Sequence, residues 1–163
     1  MKRIQNIKIA NVLLQSGEVC KINLSFQTFG LPIGMAPIVL VNHALTGNSN
    51  VTGENGWWND VVGENKVIDT KKYTIIAFNI PGNGYDADKE NLIDNYKSFT
   101  TKDIASLFWK GLEYLKVNQL FTVIGGSLGG AIAWEMAFIK PNAIQNLVPI
   151  ATNWKANDWL IGN

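Results

Sequence analysis

The sequence predicts an α/β fold with a mostly parallel β-sheet and flanking helices. Two observations predict it. Short apolar runs of strand length alternate with segments of helical periodicity along most of the chain. One of these runs passes into a helix-forming segment through the glycine-rich turn GGSLGG, residues 125–130. With 163 residues, of which 47% are hydrophobic and 17% charged, we expect residues 1–163 to form part of a single domain.

The predicted strands begin with a β-hairpin, because the runs IKIANVLL and CKINLSFQTF flank the turn signal QSGE. Later apolar runs predict strands buried on both faces, namely APIVLVNHA, YTIIAFNI, LFTVIG and NLVPIAT. Pro149, in the last of these runs, removes a hydrogen-bond donor from the ladder. We therefore expect this strand to end there or to be unpaired on one side.

Helices are predicted between these strands. In FTTKDIASLFWKGLEYLKV the apolar residues fall on one stripe, and Thr100 or Thr101 is the expected N-cap. SLGGAIAWEMAFIKP is apolar almost all round and is expected to end before Pro141. A third segment, GWWNDVVG, is expected to make one or two helical turns, with Trp57 and Trp58 as core packing.

The segment from Gly125 to Gly129 fits the pattern G-x-S-x-G, in which Ser127 is the candidate nucleophile. The small residues let a strand turn abruptly into a helix while one side chain is held above the sheet. The serine then lies at a helix N-terminus, where free N–H groups favour a developing negative charge. The alternative is a glycine-rich phosphate loop with an incidental serine, but this turn has neither the Walker lysine nor G-x-G-x-x-G spacing.

The segment VNHALTGNSN follows the strand APIVL and is a candidate oxyanion loop. In enzymes with such a serine turn, one oxyanion donor is the N–H of the residue after the nucleophile, here Leu128. The second donor comes from the loop after the third strand, which here means Leu45 or a neighbour. Backbone donors suffice, so these side chains need not be polar.

His43 is the only histidine in the chain, so a base for Ser127 is not obvious. It lies on the candidate oxyanion loop, whereas these folds supply the base after the nucleophile in chain order. We therefore interpret His43 as a hydrogen-bonded organiser of the loop. Asp103 and Glu135, on the predicted helices, are expected to have surface or capping roles rather than a place in a triad.

Composition argues against several classes of partner. Fourteen basic and 13 acidic residues leave a net charge of +1, and Arg3 is the only arginine, which does not suit nucleic acid. Cys20 stands alone, which fits a reducing compartment. No apolar run approaches the roughly 20 residues of a membrane span, and we expect no signal peptide, because MKRIQNIKIANVLL has early positive charge but no continuous apolar segment. We expect a cytoplasmic protein with no membrane partner, no metal and no bound cofactor.

Four blocks of the sequence, NHALTGNSN, NGWWNDVVGENKVIDTKKYTIIAFNIPGNGY, FTTKDIA and GGSLGGAIAWEMA, resemble the homoserine O-acetyltransferase family of the α/β-hydrolase fold. The likeness runs from about Val39 onward. It implies a ping-pong reaction in which Ser127 takes the acetyl group of acetyl-CoA and passes it to L-homoserine for methionine synthesis. It also implies oxyanion donors at Leu45 and Leu128, and we expect substrate contacts at Thr46 and Gly47.

The resemblance also implies that much of the fold is missing from this chain. Members of the family are about twice as long, with a helical lid after the sixth strand and then a late Asp and a late His that complete the triad. NLVPIAT corresponds to that sixth strand, so we expect an α/β-hydrolase-like sheet truncated there, without lid or last strands. Residues 153–163 would be the start of the lid.

Three function hypotheses follow. The first is an acyltransferase module that is active only with its remaining half. The second is an ester hydrolase of the same fold, in which water replaces homoserine. The third is an inactive fragment, since loss of triad members removes about 10⁴ to 10⁶ in rate. An open sheet edge would favour a homodimer or a complementary C-terminal fragment as partner, beside the small-molecule substrates acetyl-CoA and homoserine.

Overall fold

The computed structural model describes residues 4–155. Within this range the strands are β1 Gln5–Leu13, β2 Val19–Gly30, β3 Ile38–Asn42, β4 Val62–Gly63, β5 Ile68–Asp69, β6 Thr74–Phe78, β7 Leu120–Gly126 and β8 Ile144–Ile150. The α-helices are α1 Thr101–Tyr114 and α2 Leu128–Ile139. Short 3₁₀ turns lie at Lys89–Asn91, Tyr96–Ser98 and Pro141–Ala143.

The main sheet has six strands in the order β1-β2-β6-β3-β7-β8 within the described residues. Strand β2 pairs antiparallel with β1 on one side and with β6 on the other. The remaining neighbours, β6 with β3, β3 with β7 and β7 with β8, are parallel. The short strands β4 and β5 form a separate parallel pair. The predicted α/β class and the N-terminal hairpin are therefore confirmed.

The central strands are apolar on both faces because each face is covered. In β6, Ile76 and Phe78 join the core that contains the apolar sides of α1 and α2. The alternate residues Ile75 and Ala77 join a second core on the other face, with Val51 from the loop after β3. Successive residues of a strand point to opposite faces, and here both faces are buried, so the strand is apolar at every position.

Helix α1 begins at a capping box. The Asp103 N–H donates to the Thr100 hydroxyl at 3.2 Å, and the Thr100 N–H donates to the Asp103 carboxylate at 2.9 Å. The same carboxylate accepts from the Gln15 N–H at 2.8 Å, which ties the hairpin turn to the helix. Thr100 is therefore confirmed as the N-cap.

Neither helix has the length that crossing a membrane would require, in the part of the chain that is described.

The segment GWWNDVVG forms one hydrogen-bonded turn and then enters β4, so it makes the shorter of the two expected lengths, a single turn. Val61 and Val62 both donate to the Trp58 carbonyl, at 2.9 Å each. The Trp58 N–H donates to the Val51 carbonyl at 3.2 Å, which attaches the segment to the preceding loop. Trp58 packs against the second core. Trp57 stacks on the Trp58 ring and is 39% exposed, so only Trp58 has the expected role in the core.

Strand β8 pairs only with β7 in the described part of the sheet. Pro149 lies opposite Gly125 on this edge strand, as the missing donor predicted. Val148 and Ile150 are 37% and 42% exposed, so the edge presents apolar surface. Residues 156–163, most of the expected start of a lid, lie outside the described residues, and that expectation stays a prediction.

Candidate active site

Ser127 lies at the sharp turn between β7 and α2. Its backbone has φ 51° and ψ −120°, a combination that residues with a side chain rarely adopt. Such strain persists only where the surrounding structure holds it, and it is concentrated at functional sites. The Ser127 side chain is exposed and makes no capping hydrogen bond to the helix, so its hydroxyl is available at the surface.

Close packing of the strand against the helix explains the two outer glycines of the motif. A β-carbon on Gly125 would come within 3.0 Å of the Gly129 carbonyl group. A β-carbon on Gly129 would come equally close to the Asn42 carbonyl oxygen, at the end of β3. Gly126, in contrast, has open space where its side chain would be. The spacing of the motif therefore reflects the close approach of two strands, β3 and β7, and helix α2 at one point.

The turn at Ser127 and the loop after β3 meet at the same edge of the sheet. Strands β3 and β7 are parallel neighbours with Asn42 opposite Gly125, so both chains leave the sheet at its carboxyl edge. On the other side of β7, the Ser127 N–H donates to the Ile150 carbonyl at 2.9 Å. The elbow is thus held between β3 and β8.

The loop after β3 begins with a turn in which the Gly47 N–H donates to the Ala44 carbonyl at 2.9 Å. Leu45 and Thr46 are the central residues of this turn, and Leu45 is 74% exposed. The N–H groups of Leu45 and Leu128 make no hydrogen bond to any acceptor in residues 4–155. Both are therefore free to donate to a ligand.

Helix α2 adds a favourable potential at its start. Its first turn, from Leu128, contains no acidic residue, so the positive end of the helix dipole is not neutralised there. The described residues also hold no group of three or more His, Cys, Asp or Glu side chains that could bind a metal. The free N–H groups at the start of α2 favour an anion at Ser127.

His43 is buried, with 1% of its surface exposed, and both of its ring nitrogens are engaged. Nε2 lies 3.0 Å from the Ile80 N–H and must accept from it, so the ring proton is on Nδ1. Nδ1 then donates to the Ala44 carbonyl at 2.7 Å. Burial lowers the pKa of His43, which keeps this neutral tautomer at ordinary pH. His43 therefore has no lone pair to offer Ser127 and acts as an organiser of the loop.

The structure adds three groups to the neighbourhood that sequence patterns did not single out: the Ile150 carbonyl, Ser49 and Asn79. The Ile150 carbonyl holds the Ser127 amide. Ser49 donates its N–H to Asn79 Oδ1 at 2.7 Å, which attaches the far end of the loop to β6. Only the position of Asn79 directly after a buried strand could have marked it in the sequence.

Comparison with known proteins gives a consistent result. A profile of the alpha/beta hydrolase fold family matches residues 37–161. A homoserine O-acetyltransferase of Cyclobacterium marinum is 37% identical over 160 residues, covering 91% of this chain and 45% of that protein. The enzyme of the same name from Deferribacter desulfuricans is 35% identical over 156 residues, covering 85% of this chain and 41% of that protein. The chain thus spans less than half the length of these relatives.

Solved structures are similar in fold. The homoserine O-acetyltransferase of Staphylococcus aureus superposes with a TM-score of 0.75 at 24% identity, over 88% of this chain and 45% of that one. An acetylester hydrolase from Corynebacterium glutamicum superposes with a TM-score of 0.81 at 22% identity, over 96% of this chain and 46% of that one. Both likenesses support the α/β-hydrolase-like sheet predicted from the sequence.

Proposed function

The chain belongs to the α/β-hydrolase fold family, and on that premise we propose that it carries the nucleophile and oxyanion-binding amides of a serine acyltransferase. The observation that carries the proposal is the backbone of Ser127, with φ 51° and ψ −120° between a parallel strand and a helix N-terminus. Strain of this kind destabilises the fold by about 1–3 kcal/mol. A functional reason for keeping it is that the turn presents an exposed hydroxyl at a helix N-terminus.

In the proposed first step, Ser127 Oγ attacks the carbonyl carbon of a thioester. The serine proton passes to a base, the carbon–sulfur bond breaks, and the thiol leaves with a proton as an ester forms on the serine. The negative charge on the carbonyl oxygen is stabilised by the free N–H groups of Leu45 and Leu128. The neighbouring turn residues Thr46 and Gly47 are the proposed contacts to the substrate.

We propose acetyl-CoA as the acyl donor and L-homoserine as the acceptor, as part of methionine synthesis. In the second step the acceptor hydroxyl attacks the acetyl-serine, and Ser127 leaves with the returning proton. The support for these substrates is the name of the relatives that are 35–37% identical over most of this chain. A cytoplasmic location is proposed together with these substrates.

The base of this reaction is proposed to come from polypeptide outside these 163 residues. His43 is the only histidine of the sequence, and its ring nitrogens are bound to Ala44 and Ile80. The chain by itself therefore has the nucleophile and the amides but no imidazole to accept the serine proton. We expect slow acylation and near-zero turnover from the isolated chain.

The test is mass spectrometry of the intact chain and of its peptides after incubation with acetyl-CoA, and in parallel with p-nitrophenyl acetate. We expect one acetyl group on Ser127, slow in the isolated chain and faster when a homologous C-terminal half is added. Ser127→Ala is the matched control. Acetylation spread over lysines, with Ser127 unmodified in both arms, would refute the proposal.

Adding L-homoserine to the acetylated chain, in the presence of the homologous C-terminal half, separates the two reaction classes. Loss of the acetyl group with formation of O-acetylhomoserine supports the transferase. Loss at the same rate in buffer alone, with acetate as product, would show an ester hydrolase instead.

A further inference from the structure

The loop after β3 is attached at both ends to two consecutive residues at the end of β6. At its start, His43 Nε2 accepts from the Ile80 N–H at 3.0 Å. At its far end, the Ser49 N–H donates to Asn79 Oδ1 at 2.7 Å. The exposed turn that contains Leu45 lies between these two attachments.

The second attachment is part of a buried polar network. Asn79 is 2% exposed and Ser49 is fully buried. Asn79 Nδ2 donates to Ser25 Oγ at 2.9 Å and to Ser49 Oγ at 3.1 Å, and its Oδ1 also accepts from Asn83 Nδ2 at 3.1 Å. The Ser49 hydroxyl donates to Gln27 Oε1 at 2.8 Å. Every polar atom of the Asn79 amide is therefore bonded.

A buried polar network stabilises a core less readily than apolar packing does. Burying amides and hydroxyls costs free energy unless all of them are paired, and apolar side chains of similar size would pack without that cost. What the network and His43 achieve together is a single geometry for the loop relative to β6. Because β6 is a buried neighbour of β3, that geometry is transmitted to the position of the Leu45 amide.

We infer that His43 and Asn79 are positioning residues, which hold the Leu45 N–H where it can face the oxygen of an acyl group on Ser127. This inference rests on the proposed function, since it gives the loop a purpose in acylation. His43 acts here as an acceptor for a backbone amide, so its role requires the neutral ring with the proton on Nδ1. It neither touches the reacting atoms nor moves a proton.

Two substitutions of His43 test its bond to the Ile80 N–H. In His43→Gln the side-chain oxygen can reach the position of Nε2 and still accept from Ile80. In His43→Asn the amide reaches only the position of Nδ1, so the bond to Ile80 is lost. We expect acetylation of Ser127 by p-nitrophenyl acetate to slow roughly a hundredfold in His43→Asn, which is typical of a displaced oxyanion donor, and much less in His43→Gln.

The matched control is Thr74→Val, at the other end of β6. Thr74 is fully buried, and its hydroxyl, with one proton, is shared between the Leu31 and Pro32 carbonyl oxygens, which lie 2.9 and 3.0 Å away. Its loss destabilises the same strand without touching the loop after β3. If Thr74→Val or His43→Gln slows acetylation as much as His43→Asn at equal loss of stability, the positioning role is wrong.

A spectroscopic measurement keeps this inference separate from the proposed function. Because the chain has one histidine, a long-range proton–nitrogen correlation spectrum reports on His43 alone. We expect the tautomer protonated on Nδ1, and amide signals of Leu45 and Ile80 that shift in His43→Asn and stay in place in Thr74→Val. A ring protonated on Nε2, or a Leu45 signal unchanged in His43→Asn, overturns the inference even if Ser127 is acetylated. If Ser127 is not acetylated but these signals behave as expected, the loop attachment stands and the proposed function fails.

Discussion

The N–H of Ser127 donates to the carbonyl of Ile150 at 2.9 Å, which ties the strained turn at the end of β7 to the end of its neighbour β8. Together with the close approach of Gly129 to Asn42 on β3, this bond holds the serine between two strands that are far away in sequence. The strain is therefore stabilised by tertiary contacts rather than by the turn itself.

Replacing Ser127 separates strain from chemistry. Ser127→Gly and Ser127→Ala both remove the hydroxyl and should both abolish acetylation. Glycine adopts φ 51° with little strain, whereas alanine retains it. We expect Ser127→Gly to be more stable than Ser127→Ala by about 1 kcal/mol in urea unfolding, after the larger entropy of the unfolded glycine chain is included. A Ser127→Ala variant that is more stable than Ser127→Gly would show that the backbone at 127 is unstrained.

Two neighbouring glycines provide a matched pair for the packing of the elbow. In Gly129→Ala the new methyl group would meet the Asn42 carbonyl within 3.0 Å, so we expect a loss of several kcal/mol, at least about 2, or an insoluble protein. In Gly126→Ala the methyl group meets nothing within 4 Å, and we expect a change of less than about 1 kcal/mol. Thermal melts of both variants decide this. A well-folded Gly129→Ala would mean that strand and helix are further apart than described.

The buried histidine predicts how stability depends on pH. Burial lowers the pKa of His43 from its ordinary value of 6.5, so below about pH 6.5 the unfolded chain binds a proton that the folded chain does not. Stability should be fully present above that pH and fall as the pH drops, by up to about 1.4 kcal/mol per pH unit, until the folded pKa is reached.

Urea unfolding at a series of pH values between about 7.5 and 5.5 measures this slope, in a range where most carboxylates do not titrate. His43→Gln removes the titrating group and should flatten the curve. A slope that persists in His43→Gln would assign the effect to another group.

The open edge predicts association. Val148 is 37% exposed on β8, whose outer hydrogen-bonding groups have no partner strand in the described sheet. Val148→Lys places a charge on this edge and should lower self-association, measured by sedimentation over a range of concentrations. Tyr114→Lys, on α1 and 68% exposed, is the control for added charge. A monomer at all concentrations without the substitution, or equal effects of both, would exclude β8 as the contact.

The exposed edge of β8 is also where we expect a C-terminal half to bind. If a homologous C-terminal half adds to β8, Val148→Lys should also weaken its capture and the acceleration of Ser127 acetylation that depends on it. Capture that is unaffected by Val148→Lys would place the contact elsewhere.

Much of this protein could be predicted from local sequence patterns. Strand periodicity, the capping residue Thr100 and the donor missing at Pro149 are properties of a few adjacent residues, and the structure contains each of them. The glycine spacing around Ser127 likewise predicts a strand that turns into a helix. The physical reason is that backbone dihedrals, capping and burial on one face depend mainly on neighbours in the chain.

Other features depend on residues that are distant in sequence and meet only after folding. The GWWNDVVG segment makes a single turn, and hydrogen bonds to Asn50 and Val51 fix where that turn lies on the preceding loop. The attachment of His43 to Ile80 and of Ser49 to Asn79 joins residues more than 25 positions apart, and no local pattern encodes it. A hydrogen bond forms only when its donor and acceptor lie about 3 Å apart. For residues distant in sequence, the packing of the core determines that distance.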